Sequence, residues 1–202
     1  MPLIQRAGRV DVSPEPGANA TMTADRSRRL DNALRLPMWS GVLALWLLPL
    51  IAKQFTDEVQ WSTFDHIIWA GMLGVPATIV EIVSRLTSNW FYRGAVVIAL
   101  ATSFVITWAN LAVGIVGNED NPINLVFFAV VGIAALGAPL AGFRAARLRW
   151  VFYATALAQA ATALIALEAE PFVIVFCGIA TALWLSAATL FGRAARDAAA
   201  IA

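Results

Sequence analysis

The chain has one cysteine, Cys177, one histidine, His66, and one lysine, Lys53, in 202 residues. A single thiol excludes a disulfide framework within the chain, and a single histidine excludes a two-histidine transition-metal site. Charge is scarce: 13% of residues are Asp, Glu, Lys or Arg and 60% are hydrophobic, whereas a soluble domain carries roughly 25% charge. At a mean hydropathy of +0.73, water cannot be the main solvent of this chain. Also missing are a nucleophile elbow, a P-loop, a dinucleotide fingerprint, a zinc-protease helix and a paired-histidine haem arrangement. An enzyme is therefore the less favoured class, no motif implies a cofactor, and nucleic acid is not expected as a partner.

What is present is a succession of apolar runs, over residues 36–52, 64–83, 95–116, 122–143, 150–167 and 171–192. Crossing ~30 Å of hydrocarbon takes about 20 apolar residues per helix. The third, fourth and sixth runs meet this without a charge. The first is short and carries Pro49 near its end. The fifth is short and rich in alanine, which suits a helix packed closely among others. The expected fold is all-α, a compact bundle of six transmembrane helices over residues 36–192. Before it, residues 1–35 read as a disordered segment to about Ala24, followed by a basic amphipathic lead-in; a short tail, 193–202, follows. The stretch before Met22 resembles translated upstream sequence, which makes Met22 a candidate start. No cleavable signal peptide is expected.

Thirteen of the fourteen basic residues are arginine, and all thirteen fall before the first run, in alternate connections (Arg85, Arg93, Arg144, Arg147, Arg149) or after the last run (Arg193, Arg196). The other connections hold Lys53 together with Asp57, Glu58, Glu119, Asp120, Glu168 and Glu170. By the positive-inside rule both termini are cytoplasmic, which requires an even number of spans and supports the marginal first one. Trp39, Trp90, Tyr92, Trp150 and Tyr153 fit the inner interface and Trp61 the outer, where amphipathic rings settle. Trp46, Trp108 and Trp184 lie deeper and read as packing residues.

The polar residues of interest converge on the outer face: Gln54, Asp57, Glu58, Asp65 and His66 around the first connection, and Glu119, Asp120, Asn121 and Asn124 in the hairpin of residues 110–124. Asp57, Glu58, Glu119 and Asp120 are weak candidates for a hard cation such as calcium or magnesium, but their spacing matches no defined cation loop. A helix-capping acidic rim before Pro122 is the preferred reading. Within the membrane, Asn110 and Gln159 are amides that each need a partner and are expected to satisfy each other across a helix interface. Glu81 and Arg85 are spaced for a local ion pair. Gly71, Gly74, Gly132, Ala154, Ala158, Gly178 and Ala182 are expected to permit close helix approach.

Two stretches, Q-F-T-D-E-V-Q-W and N-L-A-V-G-I-V-G-N-E-D-N-P-I-N, together resemble a family of small, functionally uncharacterised bacterial multi-pass inner-membrane proteins in which Q-F-T-x-E-V-x-W and N-x-A-V-G-I-x-G-x-E-D-N-P-x-N recur. The similarity covers roughly residues 39–167. It implies a multi-span fold and a location in the bacterial cytoplasmic membrane, and it carries no activity over. Two functions remain open. One is a non-catalytic membrane component that binds a partner protein, a lipid or a cation through its acidic outer face, alone or as a homo-oligomer. The alternative is a small transporter or channel subunit with Asn110 and Gln159 lining the path.

Overall fold

The computed structural model describes residues 16–56, 60–165 and 171–201. They form six α-helices: α1 (Pro16–Ala52), α2 (Thr63–Leu86), α3 (Trp90–Ala112), α4 (Leu125–Leu140), α5 (Ala145–Ile165) and α6 (Pro171–Ile201), with a 3-10 turn, Pro122–Asn124, leading into α4. All except α5 contain a stretch long and apolar enough to cross a membrane. With 21 residues, α5 is roughly 31 Å long and matches a ~30 Å core; Arg147, Arg149, Thr155, Gln159 and Thr162 lower its apolarity. The protein is thus an all-α, multi-pass helical bundle.

The first helix begins at Pro16, so part of the segment expected to lack order continues it. Proline suits a first helical turn, and extending a helix already nucleated by a membrane span avoids the nucleation cost. Residues 1–15 lie outside the described residues.

The helices pack in chain order, α1 on α2, α2 on α3, α3 on α4, α4 on α5 and α5 on α6, and α6 returns to α3. Helices α3 to α6 therefore close a four-helix bundle, while α1 and α2 form an arm attached through α3. The reason lies in residue spacing. Along α6 the buried residues Val173, Cys177, Ala180, Trp184, Ala187, Phe191 and Ala194 alternate four and three apart, which is the seam of a coiled-coil interface, with Ala188 and Gly192 buried beside it. In α5, Leu148, Phe152, Thr155, Gln159 and Thr162 repeat the pattern, and in α4 Phe127, Val130 and Ala134 follow it. On α2 only Leu73 and Ala77 are buried.

Close approach comes from buried alanines on or beside these seams. Ala95, Ala156, Ala187 and Ala188 are at most 1% exposed, and a Cβ at Gly137 would collide with Val151. Gly71, Gly74, Gly132 and Gly178 do not serve as expected, because a Cβ on any of them would meet nothing within 4 Å. Ala154 and Ala182 are exposed and Ala158 half-buried. All seven positions fall off the four-three seam. Phe152 stacks on Trp184 and Phe191, at 5.7 and 5.1 Å between centroids. Trp184 is wholly enclosed as expected, whereas Trp108 is half exposed.

The arm is held by Glu81. Its carboxylate accepts Trp39 Nε1 of α1 at 2.7 Å, pairs with Arg35 at 3.3 Å and binds Arg85 one turn on. The pair with Arg85 was legible from spacing; the two α1 partners were not. Further along the arm, Trp69 Nε1 donates to Leu45 O at 3.0 Å.

Candidate functional site

The arginines gather at one end of the bundle. Arg85, Arg93, Arg144, Arg147 and Arg149 lie at or near the ends of α2 to α5, and Arg35, Arg193 and Arg196 lie within the longer α1 and α6, with Tyr92 Oη donating to Phe143 O at 2.9 Å and Asn89 Nδ2 donating to Asp197 at 3.1 Å across this end. Lys53, Asp65, His66, Glu119 and Asp120 flank the opposite helix ends. Asp57, Glu58, Glu168 and Glu170 lie outside the described residues.

At the acidic end, α3 stops at Ala112 rather than running on to residue 116, because the chain turns at Gly114 with φ +72° and Gly117 with φ +73°. A Cβ at Gly114 would collide with the Asn118 backbone. This early stop places Asn110 in the last turn of α3, beneath the hairpin. The hairpin folds around Asn124, which is 3% exposed. Its Oδ1 accepts Ile115 N at 3.1 Å and Val116 N at 2.9 Å, and its Nδ2 donates to Asn118 O at 2.7 Å and Val116 O at 3.3 Å. Asn110 Nδ2 donates in turn to Asn124 O at 2.8 Å. Asn124 therefore belongs to the interior of the hairpin, not to a polar outer rim.

Asn110 and Gln159 are both buried, but they do not pair. Gln159 Nε2 donates to Thr162 Oγ1 at 2.9 Å; Thr162 Oγ1 donates to Gln159 O at 2.6 Å and lies 3.4 Å from Cys177 Sγ. The donor side of the amide is thus satisfied within one helical turn at the α5–α6 seam, while Gln159 Oε1 and Asn110 Oδ1 are buried without a hydrogen-bond partner among the described residues.

Around the hairpin tip, the cap of the 3-10 turn is Asn121, whose Oδ1 accepts Ile123 N at 3.0 Å. Glu119 and Asp120 are exposed. Asp65 and Ser62 cap α2 reciprocally, with Ser62 N donating to Asp65 at 2.7 Å and Asp65 N to Ser62 Oγ at 3.3 Å. His66 Nδ1 meets Ser62 O at 2.8 Å and its ring stands edge-on to Trp61. Gln54 is exposed beyond α1. Among the described residues no three His, Cys, Asp or Glu side chains gather closely enough to hold a metal ion.

A cavity on the other half of the molecule was not anticipated. Helices α2 and α4 both pack on α3 without closing on each other, and between them runs a groove of about 970 Å³, near the top of the ~300–1,000 Å³ range of small-molecule sites. Val75 and Ile79 line it from α2, Leu100 and Phe104 from α3, and Ala135 and Pro139 from α4. Its polar groups are few, among them Ser103 and Thr107, with Thr87 and Tyr92 toward the arginine-rich end. Val75, Ala135 and Phe143 are exposed, so the groove opens sideways on the flank of the bundle. Phe143 holds the mouth with φ 55°, an unusual conformation for a bulky residue. It ends the Ala141–Arg144 turn and presents its carbonyl to Tyr92. The one signal in sequence was Gly71, which leaves open space over the groove wall.

Comparison of the chain with protein-family models, with curated proteins and with solved structures finds no match.

Proposed function

We propose that the protein is a non-catalytic component of a bacterial cytoplasmic membrane, six-spanning with both termini in the cytoplasm, that takes a lipid chain into the groove between α2 and α4. The observation that carries this reading is the groove itself, apolar along its length and open on the flank of the bundle. In a bilayer, the solvent at that depth is acyl chain, and so apolar a cleft offers water too few polar partners. The gathering of the arginines at one end supports the orientation, and the resemblance of the two motifs to bacterial inner-membrane proteins supports the setting.

Binding of a partner or cation through the acidic face would use Glu119 and Asp120, which the rigid hairpin holds exposed. Lipid is the occupant that the geometry favours. A transport path lined by Asn110 and Gln159 has less support, since neither lines the groove and both spend their amide donors inside the fold.

Photolabelling in membranes with a fatty acid carrying a diazirine near its methyl end tests the proposal. The expected adducts map to α2, α3 and α4 at groove positions such as Val75, Leu100 and Ala135. Adducts spread evenly over exposed residues of α1 and α6 would show no site and overturn it.

A further inference from the structure

The groove has a direction. It runs along α3 from Tyr92 to Thr107, 15 residues or roughly 22 Å, whereas one leaflet of hydrocarbon is ~15 Å deep. It is therefore longer than one leaflet but shorter than the ~30 Å core, and reaches the headgroup layer at a single end, the arginine-rich one. There its last lining residues are Leu86, Phe143 and Leu148, and each has an arginine as its chain neighbour: Arg85, Arg144 and Arg147. Arg85 is committed to Glu81. Arg144 and Arg147 are exposed, and among the described residues no carboxylate pairs with either. The other carboxylate described at this end, Asp197, is bound by Asn89.

From an apolar slot shorter than the bilayer core whose end residues Phe143 and Leu148 are followed and preceded in the chain by the exposed Arg144 and Arg147, we infer that the occupant is an anionic phospholipid, its chain in the groove and its phosphate headgroup at Arg144 and Arg147. The inference rests on the lipid-groove reading and adds headgroup selection to it. Guanidinium presents a fork of donors matched to phosphate oxygens, and each basic residue near the surface favours an anionic lipid severalfold. The zwitterionic headgroup of the same chain gains no such net attraction.

The test is native mass spectrometry of the full chain in mild detergent, titrated with phosphatidylglycerol or phosphatidylcholine of identical acyl chains. The wild type should retain phosphatidylglycerol at about tenfold lower lipid concentration. Arg144→Gln combined with Arg147→Gln, both at exposed positions, should reduce that ratio to near one while phosphatidylcholine retention is unchanged. Gly71→Leu with Ala135→Leu, which fill the groove, should weaken retention of both lipids. Equal retention of the two lipids by the wild type would overturn headgroup selection and leave the groove reading standing. Undiminished retention by the groove-filled variant would overturn both. A dimer that carries no lipid and is lost on Gly71→Leu would assign the groove to a second copy of the chain and likewise overturn both.

Discussion

Asn124 uses its whole amide to hold the hairpin, accepting twice and donating twice to backbone groups. Removing it leaves the amides of Ile115 and Val116 without their acceptor, and each buried donor left unpaired costs ~1–3 kcal/mol. Asn124→Ala should therefore lower stability by about 3 kcal/mol, whereas Asp120→Ala, exposed and with no cap to lose, should stay within ~0.5 kcal/mol. Thermal unfolding of both variants in one detergent checks the contrast. Because Asn110 and Gln159 have separate partners, exchanging each for Leu should give additive losses; a coupling above ~0.5 kcal/mol in the double-mutant cycle would show contact. The acids and amides of this loop stood out in sequence, but not the task of each. Which amide lies inside depends on the two left-handed glycine turns at Gly114 and Gly117, and composition does not carry that geometry. Amide pairing across helices was the economical guess, and local bonding within one turn prevailed over it.

Among the helices, the four-three spacing of buried residues decides which ones belong to the bundle. Ala187 and Ala188 are fully enclosed in α6, while Gly178 on the same helix faces open space. Ala187→Leu should overpack the seam and cost ~1–3 kcal/mol, and Gly178→Leu should be neutral or mildly stabilising, since helix propensity favours Leu over Gly by up to ~1 kcal/mol. The reverse order in a denaturation series would disprove the packing. All six helices were legible as apolar runs, and five of them carry a stretch long and apolar enough to cross a membrane. Which small residues meet was not, because a motif of small residues reports that approach is permitted, and the seam register reports where it occurs. Glu81 illustrates the same limit: its partner at i+4 was visible on one helix, whereas Arg35 and Trp39 come from another.

For the whole molecule, the gathering of the arginines at one end was readable before any coordinates, because charge segregation is a property of alternating connections and survives errors in helix boundaries; the acids Glu81 and Asp197 share that end. The groove was not readable: it arises because α2 and α4 each pack on α3 and do not close on each other, and such a gap leaves no motif. Reporter fusions after Arg147 and Arg193 should both read cytoplasmic and one after Gln60 outside; a cytoplasmic signal after Gln60 would remove the first span and invert the orientation. The central claim, that the flank of the bundle holds lipid rather than a water path, is tested most directly by spin labels at Val75 and Ala135 in membranes, introduced as cysteines with Cys177→Ala. Collision with dissolved oxygen should be frequent at both positions and collision with a water-soluble nickel chelate rare, as at a lipid-facing site. Frequent nickel collisions at both would mean that water fills the groove, and would contradict the account.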